Sequence, residues 1–137
     1  LRLFVCGQIN VIIQDFVPWK KGKIKLQKVE KHFFAQYKTS KRIPIDNSDY
    51  METVFVSRDD ELLEGSISNI FLKITGQYYT PPISRGLLPG VMRDQFMKNN
   101  KVKEKKLYIE DLKKCEEFVF VNSVRGVICG DINDFIN

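Results

Sequence analysis

Two consecutive stretches in the middle of the chain alternate short apolar runs with turn residues, and they constrain the fold more than any other feature. In the first, TVFVS and ELLEG flank a polar turn, RDD, at 58–60. In the second, SNIFLKI and QYYT flank TG at 75–76. Short runs of aliphatic and aromatic residues separated by two or three turn residues are typical of hairpins. Residues 51–80 therefore predict two successive β-hairpins.

The rest of the sequence adds strands near both ends and a few short helices. Apolar runs at 1–6 and 8–13, broken by Gly7, and an alternating run at 21–29 indicate strands, and 116–123 indicates a buried strand with a polar end. Residues 41–50 are rich in turn formers and predict a loop. Apolar residues at 91, 92, 96 and 97 predict a helical stripe, and 109–115 a second short helix. We expect a mixed α/β domain of the α+β kind.

Length and composition point to one globular unit. The 137 residues, 43% of them hydrophobic, suit a single domain over 1–137 that buries its own core. Three scattered cysteines give neither a disulfide framework nor a metal-ligand spacing, which favours a reducing, cytoplasmic setting and no metal. No apolar run approaches the ~18 residues that span a bilayer, so we expect no membrane partner.

The net charge of +5 raises the question of a nucleic-acid partner. The basic runs KKGKIK at 20–25 and KVKEKK at 101–106 contain no aromatic residues on which bases could stack. Lysines in the second run are typical of a solvated edge strand, where they discourage pairing with another chain. We therefore expect solvated surface and no nucleic-acid partner.

Residues 64–96 combine an acid before a strand with a Pro-Gly step before a helix. The first backbone N–H groups of a helix have no partner within it and bind anions, phosphate above all. Gly90 would let such an anion approach closely. Taken singly, Pro-Gly is a common sequence before a helix, and Glu64 beside Gly65 is a common acid in a turn. A ligand site and an ordinary helix boundary therefore both stay open at this point.

The joint order of four blocks is more specific. EGSISNIF, YYTPP, GLLPGVMR and EEFVFVNSVRGV, within residues 38–128, resemble the class IV pyridoxal-phosphate aminotransferases. That family includes branched-chain aminotransferases, D-amino-acid aminotransferases and aminodeoxychorismate lyases. The resemblance implies the C-terminal domain of a fold-type IV enzyme, a pseudo-barrel of strands with flanking helices. It also implies pyridoxal 5'-phosphate as cofactor, a small-molecule amino substrate and a homodimer.

The resemblance assigns roles residue by residue. Glu64 takes the place of the acid that pairs with the ring nitrogen of the cofactor and keeps it protonated. Lys38 matches the lysine that binds the cofactor covalently and moves the substrate α-proton, which requires a lowered ammonium pKa. The remaining cofactor contacts implied are Leu88 under the ring, the amides of Val91 and Met92 on the phosphate, and the Ser123 hydroxyl on the phosphate.

Two details indicate a branch of the family. Transaminases commonly carry Thr where this chain has Met92, and NSVRG at 122–126 looks more like aminodeoxychorismate lyases. Such enzymes release 4-aminobenzoate and pyruvate on the way to folate. Asn122 and Arg125 are then candidate substrate contacts, Arg125 through a bidentate bond to a carboxylate. The alternative is a branched-chain or D-amino-acid aminotransferase.

Three departures from the family pattern are visible. The family's smaller N-terminal domain, which supplies an arginine to the phosphate, has no counterpart in this chain. The 26 positions from Lys38 to Glu64 are fewer than expected, and Ile43 stands where many transaminases place a tyrosine. Lys41 is therefore an alternative to Lys38, and a truncated domain without catalysis is an alternative to an enzyme.

Overall fold

The protein is described here by a computed structural model covering residues 2–6, 8–12, 15–16, 18–30 and 49–136, with the backbone alone for 2–6 and 8–12. Strands dominate these residues. They are β1 (Arg2–Cys6), β2 (Gln8–Ile12), β3 (Ile24–Lys28), β4 (Glu52–Val56), β5 (Glu61–Gly65), β6 (Asn69–Ile74), β7 (Gln77–Thr80), β8 (Val102–Glu104), β9 (Leu107–Tyr108), β10 (Glu117–Asn122), β11 (Gly126–Gly130) and β12 (Phe135–Ile136).

Helices are short in this part of the chain. The α-helix α1 (Val91–Asn99) follows β7, and 3-10 helices lie at Ile83–Arg85, Ile109–Lys114 and Ile132–Asp134. The predicted helix at 109–115 is therefore a 3-10 helix. None of the helices among the described residues is long and apolar enough to cross a membrane.

The strands form two five-stranded sheets and one separate hairpin. One sheet has the order β11-β10-β6-β7-β8, the other β12-β3-β4-β5-β9, and β1 pairs with β2 alone. Most neighbours are antiparallel, but β3 is parallel to β4 and β12, and β7 to β8. This confirms the predicted α+β architecture, a curled arrangement of strands with a few flanking helices.

The two predicted hairpins are confirmed as β4–β5 and β6–β7. Their turns contain residues with positive φ, Asp60 at 61° in the first and Thr75 and Gly76 at 50° and 73° in the second. Consecutive positive φ values match the right-handed twist of the flanking strands, which is why two residues suffice to close the second hairpin. The predicted edge strand is also confirmed, since β8 borders its sheet. Gly7 and 41–48 lie outside the described residues.

The main core lies where the two sheets face each other. Fully buried aliphatic side chains of β3, β4 and β5 share one cluster with apolar side chains of β6 and β10: Ile24, Val54, Val56, Leu62, Ile70, Leu72, Phe118 and Phe120. The opposite sides of β6 and β10 bury Phe71, Val119 and Val121 against Phe96 of α1. The sheet containing β6 and β10 is thus covered on both faces, and α1 is fixed against it.

The predicted apolar stripe of α1 is wrong at its first position. Phe96 is buried and Met92 and Met97 pack beside it, but Val91 is 76% exposed. At 3.6 residues per turn Val91 shares its face with Gln95, which is also exposed, rather than with Met92 and Phe96. The Val91 side of the first turn is therefore open to solvent, while Met92 and Phe96 pack on the sheet and Arg93 is buried.

Candidate functional site

Glu64 ends β5 as a buried acid beside the loop that leads into α1. Its side chain is 5% exposed, and Oε2 accepts the Leu88 backbone N–H at 3.1 Å. Burial raises the pKa of Glu64 to about 8. The nearby Glu52 carboxylate adds to this rise, and the Leu88 N–H bond and Arg93 oppose it. The carboxyl group therefore holds its proton at neutral pH and can offer it to a basic nitrogen.

The start of α1 has the features of an anion-binding site. Gly90 is the N-cap and makes no side-chain capping bond, so the amides of Val91 and Met92 in the first turn have no acceptor supplied by the helix. The Val91 side chain is 76% exposed, so this side of the helix start is open. Partial positive charge and free donors at an open helix start suit a phosphate group.

β10 packs against α1 through a shared apolar cluster. Val121, the last residue but one of β10, packs in the same cluster as Met92. Asn122 Oδ1 then accepts the backbone N–H groups of Val124 and Arg125, at 3.0 and 2.6 Å. The turn that carries the exposed Ser123 is thus stiffened by a local side chain, a frequent use of Asn.

Arg125 follows that turn and lies over an aromatic ring. Its guanidinium carbon is 5.6 Å from the centroid of Trp19, and Trp19 is 6.0 Å from Phe120. A cation over an indole face is favourable, and Arg makes this contact often. Trp19 therefore helps to orient Arg125, which the sequence predicts as a substrate contact.

The structure brings part of the predicted site together. Glu64 and Leu88 are in direct contact, and Val91 and Met92 form the helix start directly after Gly90, while Ser123 lies exposed on the turn after β10. The Met92 side chain packs toward the sheet, which leaves its amide as the group available at the helix start. Lys38, its alternative Lys41, and Ile43 lie outside the described residues.

Sequence reasoning missed Glu52, a fully buried acid at the start of β4. Its Oε1 accepts the Ser66 N–H and hydroxyl, at 3.0 and 2.5 Å, and the Thr53 N–H at 3.0 Å. Its Oε2 accepts the Ser68 hydroxyl at 2.8 Å. Burial raises the pKa of Glu52 against these bonds. One carboxyl group thus fixes the turn after Glu64; the signal in the sequence was an acid heading an apolar strand opposite a Ser-x-Ser pair.

Two arginines anchor the segments around the helix start. Arg93 is buried and donates to the Pro81 carbonyl at 3.2 Å and to Glu104 at 2.5 Å, tying α1 to β8. Arg85 makes a bidentate pair with the buried Glu61, with bonds of 2.8 and 2.7 Å. These contacts hold both sides of the loop between β7 and α1.

The described residues fit one kind of ligand better than others. A neutral buried carboxyl suits a basic ring nitrogen, and an open helix start suits a phosphate, so the two ends match an aromatic nitrogen base that carries a phosphate. Among the residues that the structure describes, no cluster of three or more His, Cys, Asp or Glu could hold a metal ion.

Comparison with known proteins agrees with this chemistry. The sequence profile described as "Amino-transferase class IV" matches residues 22–129. The chain is 30% identical over 106 residues to aminodeoxychorismate lyase of Bacillus subtilis, covering 74% of this chain and 36% of that protein. It is 27% identical over 85 residues to a probable branched-chain-amino-acid aminotransferase of Thermotoga maritima, covering 58% of this chain and 31% of that protein. It thus spans about a third of these curated relatives.

A solved structure shows the same fold. The crystal structure of a putative amino-acid aminotransferase from Mesorhizobium loti superposes with a TM-score of 0.73 at 25% identity, over 90% of this chain and 65% of that one.

Proposed function

Because the chain belongs to the class IV amino-transferase family, as its sequence blocks predicted, we propose that it forms the cofactor-binding domain of an enzyme dependent on pyridoxal 5'-phosphate. The family consists of aminotransferases and lyases that depend on this cofactor. One observation carries the proposal: the buried Glu64 carboxyl bonds Leu88, two residues before the N-cap of an open helix start. When bound, the cofactor supplies a ring that accepts electrons from the bonds of an amino substrate.

Glu64 holds the proton at the ring-nitrogen end. Its carboxyl is protonated before binding, since its pKa is about 8, so it could supply a proton to the basic nitrogen. After transfer, the carboxylate would remain beside the positive nitrogen and stabilise it, as an opposite charge does in a buried site. This role requires an acid that stays buried, which the contact with the Leu88 N–H secures.

The helix start holds the phosphate end. The amides of Val91 and Met92 would be the donors, Gly90 carries no side chain beside them, and Leu88 would pack under the ring. The Ser123 hydroxyl, on the turn after β10, would add a donor. Because backbone amides carry most of this binding, a side chain at 90 would weaken it more than loss of one hydroxyl.

Lys38 is the residue that we propose to bind the cofactor covalently, with Lys41 as the alternative. The test is reduction of the loaded protein with borohydride, digestion, and mass spectrometry of the labelled peptide. A pyridoxyl group on Lys38 supports the assignment, and a group on Lys41 or on no lysine contradicts it. The visible yellow colour of the unreduced protein is the accompanying check that cofactor is bound.

For the reaction, we propose the cleavage of 4-amino-4-deoxychorismate into 4-aminobenzoate and pyruvate, a step of folate biosynthesis. The 30% identity with the Bacillus subtilis lyase supports it, together with Met92 and the NSVRG turn. Arg125 and Asn122 are proposed to meet the substrate, Arg125 through a carboxylate. One substrate gives two products, so no amino acceptor has to bind.

A second candidate is transamination of branched-chain or D-amino acids, which the 27% identity with the Thermotoga maritima protein favours. A domain that binds without catalysis is the third. Side-by-side steady-state assays of the complete protein with aminodeoxychorismate, leucine plus 2-oxoglutarate, and a D-amino acid plus 2-oxoglutarate distinguish them. Faster release of pyruvate supports the lyase, and a preference for leucine overturns it in favour of the transaminase.

We also propose that the protein works in the cytoplasm as a homodimer, with residues 1–137 as one domain and a further domain completing the substrate pocket. The free thiols of Cys115 and Cys129 are compatible with a reducing compartment. Light scattering after size exclusion measures the mass, and a monomer at micromolar concentration would contradict the dimer.

A further inference from the structure

Asn69, the first residue of β6, touches both parts of the proposed cofactor site. Its Nδ2 donates to the Leu88 carbonyl at 2.9 Å and lies 3.5 Å from Glu64 Oε2. The same Glu64 oxygen accepts the Leu88 N–H at 3.1 Å. Both polar groups of the Leu88 backbone are therefore bound, one by Glu64 and the other by the amide that also contacts Glu64.

The other end of the Asn69 amide lies against Gly90. A Cβ atom placed at Gly90 would be 2.4 Å from Asn69 Oδ1, closer than real Cβ contacts allow. The backbone of Gly90 has φ −68° and ψ 139°, a conformation open to any residue. Gly90 is therefore required by the contact with Asn69, because its dihedral angles place no demand on it.

The turn that leads into Asn69 is fixed by the buried Glu52. The Ser66 and Ser68 hydroxyls donate to Glu52, and the Gly65 N–H donates to the Ser68 carbonyl at 2.8 Å. The turn between Glu64 and Asn69 therefore has a fixed shape. Asn69 is 6% exposed, so its amide has few other partners to turn toward.

We propose that Asn69 is a positioning residue that joins the acid to the helix start, and so fixes the separation between the two ends of the cofactor site. The link itself rests on contacts within the protein. Its consequence for the cofactor rests on the proposed function. An amide suits this position because it donates to Leu88 on one side and presents an oxygen, without a hydrogen, to Gly90 on the other.

The first test is a double-mutant cycle on the cofactor-free protein. In the wild-type background, Gly90→Ala should raise the unfolding equilibrium constant at least tenfold, because the added Cβ conflicts with Asn69. In the Asn69→Ala background the same change should cost less than threefold. Equal losses in the two backgrounds would show that the two residues act independently and would overturn the link.

The second test measures dissociation constants for pyridoxal 5'-phosphate by absorption titration. Asn69→Ala should weaken binding about tenfold, the effect of one good hydrogen bond. The matched control is Asn100→Ala, since Asn100 Nδ2 donates to the Phe96 carbonyl at 2.9 Å at the far end of α1. This control should lose a similar amount of stability with its dissociation constant unchanged. Equal weakening by the two variants would mean that Asn69 acts only through general stability.

A third variant separates the two sides of the amide. Asn69→Asp keeps the size and an oxygen that faces Gly90, and in its ionised form it has no donor for the Leu88 carbonyl. It should weaken cofactor binding like Asn69→Ala while retaining the conflict with Gly90→Ala. If the wild-type protein does not bind pyridoxal 5'-phosphate, the proposed function fails, and the cycle on the cofactor-free protein still decides whether Asn69 links the two segments.

Discussion

Replacing Glu64 by Gln should change how stability depends on pH. The folded protein raises the pKa of Glu64 from 4.5 to about 8, because the side chain is buried beside Glu52. The folded state therefore binds this proton more tightly than the unfolded state. The stabilisation is fully present below pH 4.5 and is lost as pH rises through 8. Each pH unit in this window corresponds to about 1.4 kcal/mol of unfolding free energy.

For the whole window this gives an upper bound of about 5 kcal/mol for a single group. Gln keeps an acceptor for the Leu88 N–H but cannot ionise, so the variant loses this dependence and retains only the part that Glu52 contributes in the same direction. Between about pH 5.5 and 8.5, the wild-type protein should lose roughly 3 kcal/mol more than the variant.

The assay is urea unfolding of the cofactor-free protein at several pH values, followed by the fluorescence of the single tryptophan, Trp19. The matched control is Glu110→Gln, which removes an exposed acid and should leave the pH slope of the wild type unchanged. Parallel slopes for the wild type and Glu64→Gln would refute the argument that a neutral carboxyl is buried at this position.

Three further outcomes are expected. Arg85→Ala should lower the unfolding free energy by about 2 kcal/mol, since the buried Glu61 loses a bidentate partner. The control is Lys98→Ala, which removes an exposed ion pair, and equal urea midpoints for the two variants would contradict this. Phe96→Ala should lower the unfolding free energy by about 3–5 kcal/mol in the same assay, because the ring centroids of Phe96 and Phe71 lie 4.4 Å apart in the core. A loss under about 1 kcal/mol would mean that Phe96 does not fix α1 against the sheet. Gly90→Val should weaken cofactor binding more than Ser123→Ala does. The Ser123 hydroxyl is worth about 1.5–3 kcal/mol if the phosphate is its partner. The reverse order, in titrations of variants shown to be folded, would mean that the start of α1 is not the phosphate site.

The hairpins could be predicted because local chemistry decides them. Turn residues at 75–76 tolerate positive φ, and apolar runs on both sides are long enough for one strand each. The start of α1 at Val91 was predicted for a similar reason, since Pro and Gly precede it. The exposure of Val91 was not, because it depends on which face of the helix meets the sheet, and that is set by Phe71 and Val119 on distant strands.

The candidate site shows the same division. The acid and the helix start stood out because their roles attach to short motifs. Glu52 and Asn69 did not, because what they do depends on partners brought close by folding: Ser66 and Ser68 for the first, Leu88 for the second. Asn69 is part of the EGSISNIF block, but the sequence alone did not indicate which groups its amide would bind.

We propose above all that Glu64 protonates the ring nitrogen of a bound pyridoxal 5'-phosphate. The direct measurement is the 15N chemical shift of that nitrogen, with labelled cofactor bound to the complete protein at pH 7. A protonated ring nitrogen in the wild type and an unprotonated one in Glu64→Gln is the predicted result. The same shift in both proteins, or a labelled cofactor that does not bind to the wild type, would contradict the account.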